Sequence, residues 1–257
     1  MNWFGRWRRA RLLERHAIPP AAFDATVAAL PILRGLDAAE RTRLREAASL
    51  FLHDKTFSAA GGADVDDATQ YIIALQACLL TLNLGEDSYR GWSEIILYPD
   101  EFLRDLEEID EAGVVHRSRD ILAGESWHGG PLVLSLADVA TSGQADGVNV
   151  VLHEFAHKLD MLNGDANGFP PLHRGMDAAA WARDFSAAFE DLCARVDAGE
   201  DTAIDPYATA SPAEFFAVLT EVFFETPRLL DAEYPAIYRQ LQQFYRQHPL
   251  ARLQAHA

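Results

Sequence analysis

Two histidines four residues apart, with a glutamate beside the first, are the side chains here best suited to chemistry. They lie in the run Asn149-Val150-Val151-Leu152-His153-Glu154-Phe155-Ala156-His157-Lys158-Leu159-Asp160. At 3.6 residues per turn, positions four apart differ by about 40° around a helix, so His153 and His157 share a face. Two neutral imidazoles placed that way can grip one Zn²⁺ at about 2.0–2.1 Å. Glu154 is then placed to accept a proton from a zinc-activated water. Apolar neighbours on both sides of these three groups predict a largely buried helix, where a His/Glu cluster is costly unless paired or metal-bound. The bland alternative is two satisfied core histidines beside a salt-bridged glutamate.

A catalytic zinc takes three protein ligands and leaves one position for water. The third is sought in Ile204–Glu221, where Ser211 is a good N-cap, Pro212 suits the first helical position and Glu214 completes Ser-x-x-Glu. Glu214 therefore also reads as a capping-box partner. Glu221, seven residues on, sits about 20° from Glu214 around the helix, so both can face one site. Both stand among Phe215, Phe216, Phe223 and Phe224. Spacing leaves Glu214 and Glu221 open as the ligand, with Asp160 a further option.

The elements that must hold these residues are helical at both ends of the chain. Apolar positions recur at helical spacing from Ala21 to about Phe57, with Asp37 and Glu40 marking a helix start. Residues 66–83 predict a central buried helix, and 147–162, 177–197, 211–225 and 233–247 predict four more. Between them, Glu94–Tyr98 and Pro131–Ser135 read as strands, and Val114 and Val115 suggest a third. This order indicates an α+β fold, mostly helical with a small mixed sheet. A single domain is expected over 21–257, comprising a helical section (21–110) and a catalytic core (111–257).

Composition narrows the function. The 257 residues are 49% hydrophobic and 24% charged, enough for a sizeable core. Net charge is −17, yet the first 17 residues hold five arginines and one glutamate. A body this acidic lacks the clustered positive charge that nucleic acid requires. Residues 1–20 are expected to form a basic, flexible tail, with a short membrane-surface anchor as the alternative. No apolar window reaches the ~20 residues of a membrane span, so no stable membrane insertion is expected. Cys78 and Cys193 stand far apart without metal-ligand spacing, which suggests free thiols in a reducing, cytoplasmic setting.

The chain resembles the Mlc titration factor A family of zinc metallopeptidases, whose catalytic domain is similar to that of anthrax lethal factor. The resemblance runs over nearly the whole chain. It is carried by Ile73–Cys78, Leu82–Gly85, Gly124–Trp127, Asn149–Asp160, Tyr207-Ala208 and Pro212–Ala217. It implies a zincin-like fold of the gluzincin type and one Zn²⁺ held by His153, His157 and Glu214. Glu154 would be the general base, and Tyr207 would donate a hydrogen bond to the oxyanion. Glu221 would orient a histidine. Implied partners are a peptide substrate and a glucose-responsive transcriptional repressor of the Mlc kind. Gly124–Ser135 is expected at the upper rim of the cleft, where a strand edge could pair with an extended peptide. There His128 reads as a solvent-facing loop residue, and Trp127 as either cleft wall or core. His16, His53, His116, His173, His248 and His256 show no ligand spacing.

Overall fold

The computed structural model describes residues 3–100, 102–109, 115–122, 124–126 and 129–254. Helix α1 (Trp3–His16) occupies the segment expected as a flexible tail. Its half-buried Arg9 reaches Glu46 at 2.7 Å, on α3, so the basic run is anchored by a partner that local sequence does not show. Pro20 begins α2 (Pro20–Ala29), where a proline's missing N–H costs nothing. Helix α3 (Ala38–Asp54) begins with the expected capping box: Asp37 accepts from the Glu40 amide at 2.7 Å, and Glu40 accepts from the Asp37 amide at 3.0 Å.

After α3 the chain turns into β1 (Thr56–Ala59), then α4 (Asp67–Thr81), which is capped by Asp66 and buried from Ile73 to Thr81. Strand β2 (Glu94–Tyr98) follows, then the antiparallel pair β3 (Phe102–Ile109) and β4 (Val115–Leu122). Val115 opens β4, while Val114 lies outside the described residues. A short β5 (Gly124–Ser126) and β6 (Leu132–Ser135) complete the strands.

The main sheet runs β1-β2-β6-β5, parallel except for β5, which is antiparallel to β6 and forms an edge. Its register sets Ile95 beside Leu132 and Leu97 beside Leu134, and all four side chains are buried. Burying each is worth about 1.5–3 kcal/mol of transfer free energy. Helix α5 (Leu136–Thr141) follows β6 directly. Within this sheet β2, before residue 110, pairs with β6, after it, and β1 pairs in turn with β2.

The helical end comprises α6 (Val150–Asp160), α7 (Ala178–Asp197), α8 (Pro212–Glu225), α9 (Pro227–Glu233), α10 (Pro235–Tyr245) and α11 (Pro249–Gln254). Four of these six start at a proline, which fits the first turn but interrupts a helix already under way. Thus the chain near 225–247 is broken at Pro227 and again at Pro235. Trp181 of α7 is fully buried and stacks on Phe185 at 4.2 Å, with Phe216 and Phe244 around it. No described helix is long and apolar enough to cross a membrane.

Candidate metal centre

Helix α6 starts later than periodicity alone suggests. Gly147 has φ +107°, and Asn149 is the N-cap, its side-chain oxygen accepting from the Leu152 amide at 2.9 Å. Val151, Leu152, Phe155, Ala156 and Leu159 are buried in the core. That orientation fixes the opposite stripe of the helix, with His153 and His157, toward α8. Glu154 is 5% exposed.

Helix α8 supplies the partners. Ser211 caps it, accepting from the Glu214 amide at 3.2 Å, and Pro212 takes the first position. Glu214 does not complete the capping box with its carboxylate. Instead its Oε2 lies 2.9 Å from His153 Nε2 and 3.4 Å from His157 Nε2, and the two imidazole nitrogens are 3.2 Å apart. The ligand-type atoms of His153, His157 and Glu214 all fall within 4.8 Å of one another. Tetrahedral zinc with bonds near 2.0–2.1 Å would set its ligand atoms about 3.3–3.4 Å apart. Two nitrogens and one carboxylate oxygen at 2.9–3.4 Å fit that triangle.

Glu221, two turns further along α8, takes the other side of the ring. His153 Nδ1 donates to its Oε1 at 2.7 Å, and its Oε2 accepts from the Asn149 amide. One carboxylate thus fixes both the ring of His153 and the start of the helix that carries it. Of the three acids left open by spacing, Glu214 is the one that joins the two histidines. Asp160 faces elsewhere, accepting from the amides of Asn167 and Gly168 at 2.7 Å.

The electrostatics favour a cation. Burial would lower the pKa of His153, but hydrogen bonds with Glu214 and Glu221 outweigh it and hold the ring well above the ordinary histidine range. Burial would raise Glu214, yet the two histidines keep it well below the usual carboxylate range. A proton or a metal ion satisfies the same field, so the two compete for this point.

A buried polar network behind the cluster escaped the reading of the motif. The Asn149 side-chain amide donates to Gln76 Oε1 on α4 and to Glu225 Oε1 on α8, each at 2.6 Å. Burial pushes Glu225 up to about 7, against the pull of Asn149 and of the Ala145 and Gly143 amides. Signals for it existed: an asparagine just before an apolar helical run, and lone polar residues inside otherwise apolar helices. Gly168 was also missed. Its φ is +77°, and a Cβ there would lie 2.4 Å from the Pro212 carbonyl oxygen. Only glycine lets this loop abut the first turn of α8.

Tyr207 stands in a 3-10 turn, Pro206–Thr209, capped by Asp205. It is 52% exposed, and its ring centroid lies 6.1 Å from that of His153. It therefore borders the cluster from the solvent side. Trp127 and His128 lie outside the described residues, as do His256 and the side chain of His116. Of the remaining histidines, His16 packs on His53, His173 bonds the Phe244 carbonyl and His248 bonds the Tyr238 hydroxyl. None of these four joins the cluster.

A helix bearing two histidines and a buried glutamate, met by a carboxylate from a second helix, is an arrangement that could hold a metal ion. Comparison with known proteins agrees. Residues 4–246 match the family described as glucose-regulated metallo-peptidase M90. The chain is 41% identical over 227 residues to Mlc titration factor A of Escherichia fergusonii, covering 88% of this chain and 86% of that protein. It is 43% identical over 234 residues to Mlc titration factor A of Salmonella gallinarum (89% and 87% covered). The same protein of Salmonella arizonae is 43% identical over 230 residues (88% and 90%). The chain belongs to the M90 metallopeptidase family, and its fold is the zincin-like α+β fold expected from the sequence.

Proposed function

We propose that this protein is a zinc-dependent peptidase of the gluzincin type. The observation that carries the reading is the convergence of His153, His157 and Glu214 within 4.8 Å beside the buried Glu154. These three residues would hold one Zn²⁺. When bound, the ion supplies Lewis acidity, lowering the pKa of water and polarising a peptide carbonyl. Glu154 takes the proton released by the attacking water and passes it to the leaving amine. Tyr207, at the solvent edge of His153, donates its phenolic hydrogen to the oxyanion that develops on the substrate. Glu221 keeps the His153 ring in register. Strand β5, an edge, offers main-chain groups to an extended peptide. The acidic body favours neutral or basic peptides on encounter, an effect that salt weakens.

The test is hydrolysis of a mixed peptide library by wild type and Glu154→Gln, both checked for one zinc per chain. We expect turnover to fall by about 10²–10⁴-fold in the variant. Wild-type turnover by Glu154→Gln would sink the mechanism. Amino-terminal residues released one at a time would mark an aminopeptidase, and internal cuts an endopeptidase.

A second reading follows from the relatives' name. Proteins 41–43% identical to this chain are called Mlc titration factor A, so it would also bind and inactivate an Mlc-like repressor. If that binding is its main role, Glu154→Gln captures the purified repressor as well as wild type does, and neither cleaves peptides. The reading places the protein in the cytoplasm, where such a repressor works and where the thiols of Cys78 and Cys193, which form no disulfide, would stay reduced.

A further inference from the structure

Away from the metal cluster, a cavity of about 530 Å³ lies between α1, α3, α4 and the segment 89–92. That volume falls in the range of small-molecule sites, about 300–1,000 Å³. Its charge runs against the rest of the chain. The sequence has 22 basic and 39 acidic residues, yet the described lining presents Arg8, Lys55 and Arg90, together with Arg9 in its ion pair with Glu46, against one carboxylate, Asp54. In a body of net charge −17, this is a local concentration of positive charge around a recess.

The same cavity has an aromatic floor made by Phe51, Tyr89 and Trp92. Lys55 links floor and charge. It is only 9% exposed, its Nζ lies 3.8 Å from the Trp92 ring centroid, and it donates to the Tyr89 and Trp92 carbonyls at 2.5 and 2.6 Å. An ammonium has three donors, so these carbonyls use two of them. Burial also lowers its pKa to about 8, a cost that an anion placed beside it would offset.

We propose that this cavity binds a small organic anion, a phosphate ester or carboxylate carried on a flat or apolar body. The guanidinium groups of Arg8 and Arg90 take its oxygens, and the body lies on the aromatic floor. An occupant would bear on α6, because Phe155 packs against Phe51, Tyr89 and Trp92 with centroids 5.6, 5.0 and 5.9 Å apart. Phe155 follows Glu154 directly. The binding claim is independent of the peptidase reading.

The experiment titrates the zinc-loaded full chain with phenyl phosphate and with phenylacetate at fixed ionic strength, read by calorimetry. Saturable one-to-one binding of at least one probe is expected, and the tighter probe identifies the headgroup. The double variant Arg8→Ala/Arg90→Ala changes two exposed side chains and should weaken binding at least tenfold. Arg228→Ala/Arg239→Ala, on α9 and α10, should leave it unchanged. Inorganic phosphate, which lacks the body, should bind at least tenfold more weakly than phenyl phosphate. Saturation by neither probe, or equal binding to the Arg8/Arg90 variant, would overturn the site. Equal binding of inorganic phosphate would overturn the role of the aromatic floor.

Discussion

The α6–α8 interface and the α1–α3 layer both join helices through charged side chains, but water has different access to the two. Between α6 and α8, Glu221 and Glu225 are buried and lie against His153 and Asn149 at 2.6–2.7 Å. Between α1 and α3, Arg9 and Glu46 meet at 2.7 Å while still 26% and 38% exposed on their side chains. Equal distances therefore conceal unequal energies. Where water is excluded, an unmatched partner has no substitute, and its loss costs the full desolvation penalty. Where water remains, it replaces the lost partner. The proposed metal ligands sit on the side where buried partners lack a substitute, which is what a rigid triangle would require.

The largest effects should come from the two acids on His153. Glu214→Ala removes a proposed ligand, whereas Glu221→Ala frees the ring and the N-terminus of α6 while leaving the triangle complete. Loss of a group that only orients a ligand typically weakens metal binding about 10–100-fold. We expect Glu221→Ala within that range and Glu214→Ala beyond it, measured by competition with a zinc chelator. The reverse order would exchange the roles of the two glutamates.

Next in size is Asn149→Ala. It deletes the α6 cap, worth about 1 kcal/mol, and strands Gln76 and Glu225, adding about 1–3 kcal/mol. A loss of about 2–4 kcal/mol should lower Tm by roughly 5–15 °C in a chain of this size. Calorimetric melting checks it. A change of about a degree would show that water enters the network after all and would erase the contrast between the two regions.

Glu225→Gln sharpens the same contrast through pH. Burial holds the folded-state pKa of Glu225 near 7, against 4.5 for an ordinary glutamate. From 4.5 to 7 the folded state therefore binds more protons than the unfolded one. The stability contributed by the protonated carboxyl is complete below pH 4.5 and declines as pH rises toward 7. Glutamine keeps an acceptor for Asn149 but cannot ionise, so the variant should gain several degrees of Tm over wild type at pH 8 and little at pH 4.5. An equal offset at both pH values would mean that Glu225 stays ionised throughout.

What the sequence showed divides along similar lines. The spacing of His153 and His157, the Ser211-Pro212 helix start and the Asp37 capping box are local patterns, and each is realised within one turn of helix. The choice between Glu214 and Glu221 was not local. Their 20° separation on one helix says that both face the site, and only the packing of α8 on α6 decides which carboxylate reaches Nε2. Strand β1 was hidden because four residues without clean alternation, Thr56–Ala59, follow a long helical pattern. They are a strand because β2 pairs with them. The tail reading of residues 1–20 had no view of α3 either: the Glu46 contact of Arg9 lies 37 residues on.

The smallest expected effect belongs to that last contact, and it tests the exposed side of the comparison. In a double-mutant cycle, Arg9→Ala and Glu46→Ala should show a coupling of about 0.2–1 kcal/mol, as partly exposed ion pairs do. Because both side chains keep contact with solvent, the coupling should also shrink as added salt shortens the screening length from about 10 Å at 0.1 M toward 3 Å at 1 M. A coupling near 3 kcal/mol, indifferent to salt, would mean that water does not reach the α1–α3 layer. Helix α1 would then be as firmly seated as α6, and the basic cavity beneath it would have a rigid wall.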